Sequence, residues 1–312
     1  MRQRFHDQML QRARQVGGGL ALALLTLWGA AFGIAGSAAA QPASDGPALW
    51  RLGDEDTTLY LFGSIHMMTP EVSWFEGDVK AAFDAAETVT FEIDFDDLDQ
   101  AQVRAFVMAN SRLPDDRKLS DILSSAMMDE LMSVFSEAGI PRAKVETMRP
   151  WFAAFQYGQL SAVQAGFLPQ YGVDVVLTQQ AKAAGKEIRG LETIEAQFET
   201  LMTIDEMAGK GAFEAQMEQF EDPAALFDQM KTDWMTADLE GLDTLLIEPS
   251  RAMAPAFHET VFDERNADWV PQIEAMLDRP GTHMVVVGTG HLIGDDSVVD
   301  LLRERGHQVT VQ

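Results

Sequence analysis

The chain has 312 residues, with 49 acidic against 23 basic side chains, a net charge of −26 at pH 7, and no cysteine. Such acidity disfavours nucleic acid and anionic membrane surfaces as partners. The missing thiol excludes disulfides, thiolate metal centres and a lipid-modified cysteine.

Residues 1–40 read as a secretory signal peptide. Arg2, Arg4, Arg12 and Arg14 form a basic start, residues 20–34 an apolar run, and Ser37-Ala38-Ala39-Ala40 a small-residue cleavage site. The run is short for a span, which leaves a retained anchor as the lesser alternative. Cleavage after Ala40 predicts a periplasmic or secreted chain without a stable membrane anchor. Taking four Arg and one Asp away leaves 19 basic and 48 acidic residues, a net charge of −29. Residues 41–312 are long enough to bury a full core, as one large domain with a helical insertion.

Leu49-Trp50-Arg51-Leu52 and Leu59-Tyr60-Leu61-Phe62 are short apolar runs about the polar turn Gly53-Asp54-Glu55-Asp56, and so read as a hairpin. The second strand delivers Gly63-Ser64-Ile65-His66. A helix near 75–86 precedes Thr88-Val89-Thr90-Phe91-Glu92-Ile93, a strand of β-branched and aromatic residues that ends in a carboxylate. Residues 97–182 are mostly helical by period. Ser120 caps a run with Leu123, Met127, Leu131, Val134 and Phe135 on one stripe, closed by Gly139 and Pro141. Pro150 opens the next helix and residues 172–184 form another. Residues 185–192 make a short strand leading to Glu192. The chain is helical again from 194 to about 278, with Asp222-Pro223 as a start signal and Trp269, Ile273 and Leu277 turned inward. His283-Met284-Val285-Val286-Val287-Gly288 is a buried strand whose exit carries Gly288-Thr289-Gly290-His291. A helix capped near Ser297 and a terminal strand over 308–311 finish the chain. Strands alternating with helices predict an α/β fold: a largely parallel central sheet flanked by helices.

Gly63-x-x-His66 and Gly288-x-x-His291 are the same local device at opposite ends of the chain. Four strands thus end in His66, Glu92, Glu192 and His291, and parallel neighbours would bring all four to one sheet edge, where open α/β sheets place their ligands. Two imidazoles with one or two carboxylates are an N/O donor set suited to Zn, Mn, Co or Fe(II). A metal there would activate water and leave a second carboxylate as general base. Each member also has a plainer reading. Glu92 can serve as an ion-paired carboxylate, and Glu192 can complement a helix dipole. Arg265-Asn266 supplies a fork for a carboxylate of the substrate or of the site itself; on the residues alone Arg265 reads as a surface ion pair. His258 and His283 read as structural, and His307 as exposed. Gly288, Gly290 and Gly294 do not make a dinucleotide fingerprint, because no βαβ unit or ribose-binding acid follows.

Leu49-Trp50, the strand from Leu59 to His66, Phe91-Glu92-Ile93-Asp94, Pro150-Trp151, Gly190-Leu191-Glu192-Thr193, Arg265-Asn266 and the stretch from Val287 to Gly294 resemble, in order, the TraB/GumN family, which includes the Tiki metalloproteases. The resemblance implies a fold related to the erythromycin-esterase and ChaN-like superfamily. For Tiki members it implies Mn- or Co-dependent hydrolysis of a peptide or protein substrate, and with the donor set above the divalent metal expected here is Mn, Co or Zn. It makes His66, Glu92 and His291 the metal-site residues, and Glu192, Arg265 and Asn266 the residues lining the catalytic site. A non-catalytic metal- or haem-binding regulatory protein is the alternative that the ChaN-like relationship allows.

Overall fold

Met284, Val285, Val286 and Val287 are each fully buried. A strand covered on both faces reads as a continuous apolar run, and this one sits in the middle of a sheet. The computed structural model describes residues 46–94, 99–207 and 222–312. Residues 1–40, read from the sequence as a signal peptide, lie outside the described residues. The strands are β1 (Leu49–Gly53), β2 (Thr57–Ser64), β3 (Thr88–Ile93), β4 (Glu187–Glu192), β5 (Gly281–Gly288) and β6 (Thr310–Val311). They form one sheet in the order β4-β3-β5-β2-β1-β6.

β1 and β2 are the expected antiparallel hairpin, with Leu49 opposite Phe62. β2 and β5 then run parallel, with Ser64 beside Gly288. β3 pairs parallel with both β5 and β4. β2, β5, β3 and β4 therefore end on the same edge, although they come from widely separated parts of the chain. That shared edge is what gathers the four expected side chains.

Helices flank the sheet, as expected. The helical stripe of the middle region begins later than Ser120 suggests. Its helix is Ser125–Glu137, capped by the Ser124 side chain, which accepts from the Met127 N–H at 3.2 Å. Residues Leu119–Asp121 are instead a single tight turn. Asp121 turns back to accept from the Lys118 N–H at 2.8 Å, and Glu146 takes the Ser120 N–H at 3.1 Å, so the backbone donors are satisfied without a helix. Gly139, at φ 74°, stops the helix as its position predicts. The Asp222 cap is also found, accepting from the Ala225 N–H at 3.0 Å. The terminal strand is shorter than expected, with only Thr310 and Val311 paired to β1.

Aromatic packing fixes the face of β2. Phe62 stacks on Trp74 and tilts against Trp234, with centroids 5.9 and 5.8 Å away. The Trp234 indole donates to the Gly63 carbonyl at 2.9 Å, so the helix Pro223–Met235 is tied to the strand that carries His66. Gly63 itself is held close to the second motif. A methyl group there would meet Thr289 Oγ1 at 2.8 Å, while the Thr289 hydroxyl donates to the Ser64 carbonyl at 3.0 Å. Gly63 thus lets the loops of the two motifs touch.

Candidate functional site

Glu92 is the penultimate residue of β3 and is 3% exposed. A buried carboxylate needs donors, and Glu92 has three. Oε1 accepts from the Gly288 N–H at 2.7 Å, and Oε2 from Gln197 Nε2 at 2.8 Å and Arg265 Nη2 at 2.9 Å. Arg265 lies at the start of the helix Glu264–Leu277, just after the π-helical turn Glu259–Asp263. Such turns are often found at functional sites. Here the turn presents the Val261 carbonyl, which accepts from Arg265 Nη1 at 3.0 Å.

Arg265 makes four further bonds. Nε and Nη2 grip Glu192 from two sides at 3.1 and 2.7 Å, Nη2 reaches Glu92, and Nη1 donates to His291 Nε2 at 2.9 Å. A guanidinium has five N–H donors, and all five are used. Its plane also lies over Trp269, 4.5 Å from the ring centroid. The surface ion pair read from the residues alone is thus corrected: Arg265 is buried, because two carboxylates and an imidazole meet it inside. Burial opposes its charge, but Glu92 and Glu192 outweigh that and hold the proton more tightly still.

His291 sits in the single turn Thr289–His291 at the exit of β5 and is 1% exposed. Asn266 Nδ2 donates to the Asp296 carbonyl at 3.0 Å, which turns Asn266 Oδ1 toward His291 Nδ1 at 2.7 Å. That network assigns the His291 proton to Nδ1 and leaves Nε2 to accept from Arg265. Burial, Arg265, His66 and His258 together push its pKa well below the usual imidazole value, so His291 is neutral. Trp269 and Phe262 pack against its ring, with centroids at 4.5 and 5.1 Å.

His66 belongs to the same electrostatic unit but has a different partner. Its Nδ1 meets Asp174 Oδ2 at 2.5 Å, and Asp174 is buried. Its Nε2 makes no hydrogen bond among the described residues. Burial works to lower its pKa, but Asp174, by charge and hydrogen bond, and then Glu92 outweigh it. The result lies above the usual value despite an opposing effect of Arg265. Asp174 reaches His66 because its helix, Val173–Ala184, docks directly on the motif: the Val173 N–H donates to the Ile65 carbonyl at 2.9 Å. Gly172 makes that approach possible, since a methyl group there would lie 2.0 Å from the His66 carbonyl oxygen.

Glu192 borders a cavity. Burial pushes its carboxyl above the usual range, with Arg265 pulling the other way and Glu92 adding to the rise. The cavity, about 240 Å³, is lined by Ile93, Asp94, Asp99, Glu192, Thr193 and Glu195 among others. A larger one of about 570 Å³ touches His258, Arg251, Asp263 and Asp296 but none of the expected residues. His258 is a satisfied core histidine, with Nδ1 at 2.8 Å from Ser250 Oγ and Nε2 accepting from Arg251. His283 bonds the Arg279 carbonyl, as a structural histidine would. His307, expected in solvent, is half-buried because it pairs with Glu274 at 2.9 Å.

The sequence-expected residues Glu92, Glu192, Arg265, Asn266 and His291 are thus joined by direct bonds, and His66 is coupled to them by charge. Sequence reasoning missed Asp174, Gln197 and the Gly288 N–H. An Asp in the first turn of a helix reads as a complement to its dipole, and nothing local marks a histidine 108 positions away.

The donor chemistry of this cluster suits a divalent metal, but its arrangement does not. Among the described residues no group of three or more His, Asp or Glu is laid out to hold a metal ion. The His291 Nε2 lone pair and an oxygen of each glutamate already face the guanidinium. His66 Nε2 is the uncommitted donor that remains.

Residues 48–311 match the model of the TraB/PrgY/gumN family. The chain is 26% identical over 244 residues to the Escherichia coli K12 protein titled "Uncharacterized protein YbaP", covering 78% of this chain and 87% of that one. The Shigella flexneri protein of the same title matches equally. No solved structure matches.

Proposed function

This chain belongs to the TraB/PrgY/gumN family, and from that membership and the site's geometry we propose that it is an exported hydrolase acting on peptide bonds. The observation that carries the reading is the His66–Asp174 pair. Asp174 accepts from Nδ1 and so leaves the Nε2 lone pair on the side away from it. Asp174 fixes the imidazole in that tautomer and its charge raises the pKa above the ordinary imidazole value, so it stabilises the imidazolium that forms when Nε2 takes a proton. His66 Nε2 takes a proton from water as its oxygen adds to the carbonyl carbon, and the imidazolium then returns that proton to the leaving nitrogen as the C–N bond breaks, which frees the amine and the acid and regenerates neutral His66. Glu192, which borders the cavity, faces the substrate. Glu92, Arg265, Asn266 and His291 hold that constellation in place. Export rests on the basic, apolar and small-residue sequence of residues 1–40.

The test is cleavage of a mixed peptide pool by the purified protein, read by mass spectrometry. New peptide termini that appear with the native chain and not with His66→Gln support the reading. A pool left intact would move the non-catalytic binding reading ahead.

A further inference from the structure

We infer that Arg265 is the resident cation of this site, standing where the family resemblance expects a divalent metal. A metal centre built from His66, Glu92 and His291 needs the Nε2 lone pairs and a carboxylate oxygen to converge on one point. In this chain three acceptors converge instead on a guanidinium: Glu92 Oε2 at 2.9 Å, Glu192 Oε1 at 2.7 Å and His291 Nε2 at 2.9 Å. Arginine cannot shed its proton to make room, since its pKa lies far above neutrality even unperturbed. It is also not free to swing away. Its remaining donors are held by Glu192 Oε2 and the Val261 carbonyl, and its flat face rests on Trp269. Moving it would leave the carboxylates of Glu92 and Glu192 without the cation that balances their charge, which is the costly way to break such a cluster.

Asn266 supports the same assignment. By pinning the His291 proton on Nδ1, it aims the Nε2 lone pair at Arg265. The charge is then shared out by side chains alone, with Arg265 against Glu92 and Glu192. His66 is the member left to take and release a proton.

This inference concerns the same site but does not rest on hydrolysis, and it is tested without a substrate. Metal content and thermal unfolding of the purified protein are measured after exposure to MnCl2, CoCl2 or ZnCl2, and again after EDTA. The native chain should hold substoichiometric metal, with a Tm unmoved by either treatment. Arg265→Ala opens the three acceptors, and each metal should raise its Tm in a concentration-dependent way, as linkage requires of a ligand bound to the folded state. Arg265→Lys keeps a cation in place and should show little or none of that rise. Stoichiometric metal in the native chain, removed by EDTA with a fall in Tm, would overturn the inference. So would an Arg265→Ala chain that folds and gains no metal-dependent shift. If Arg265→Ala folds only when metal is supplied, the inference is supported. If it folds under neither condition, the native chain's metal content and EDTA response decide alone.

Discussion

At the scale of single residues, the three buried histidines near the site are tuned in opposite directions. His66 is raised because Asp174 and Glu92 outweigh burial, whereas His291 and His258 are lowered chiefly by burial. A base must be neutral to accept a proton, so hydrolysis should rise with pH through the elevated His66 value. Asp174→Asn removes the charge that elevates it. The acid limb of the rate profile should then move to lower pH, while the maximal rate falls by about 10²–10⁴ because the tautomer is no longer enforced. Rate profiles of both chains check this; an unmoved acid limb would mean that His66 is not the titrating base. His258 gives a stability prediction with the opposite sign. Its folded pKa is depressed to about 4 from 6.5, so its contribution is present above pH 6.5 and lost as pH falls toward 4. The loss is about 3 kcal/mol at most. Urea unfolding at pH 7 and pH 4.5 should show a smaller acid penalty for His258→Gln than for the native chain.

At the scale of elements, the strands were the legible part. A short apolar run after a polar turn marked β2, alternating β-branched and aromatic residues marked β3, and a solid apolar run marked β5 as a buried strand; these patterns follow from which faces are buried. Their parallel register then placed Glu92, Glu192 and the two histidine motifs on one edge, as the strand exits implied. What the sequence left hidden depends on long-range docking. The partner of His66 comes from a helix that begins at Gly172, and local pattern carries no sign of where that helix lands. Arg265 looked like a surface residue for a related reason: a charged residue near a helix start is ordinarily solvated, and only the converging strand ends bury it. Gly172→Ala tests the docking itself. The added methyl meets the His66 carbonyl at 2.0 Å with backbone on both sides, so overpacking should cost about 1–3 kcal/mol. Denaturant unfolding measures that cost. The variant should also lose activity beyond its loss of stability, since Asp174 is carried on the displaced helix.

For the whole molecule, the export proposed from the basic, apolar sequence of residues 1–40 makes a direct prediction. Amino-terminal sequencing of the protein recovered from the periplasmic fraction should begin at Gln41. An intact Met1 in a soluble cytoplasmic pool would contradict export. The fold class and the family were both readable from the full-length order of motifs, and the match over residues 48–311 agrees with that order. The chemistry was only half readable, because donor types can be counted in a sequence while the direction of their lone pairs cannot. The most direct measurement is therefore the peptide-cleavage rate of His66→Gln beside the native chain, with unfolding curves showing that both are folded. If His66 is the base, the native chain cleaves and the variant falls by about 10²–10⁴ at unchanged stability. A folded His66→Gln chain that cleaves at the native rate would contradict it.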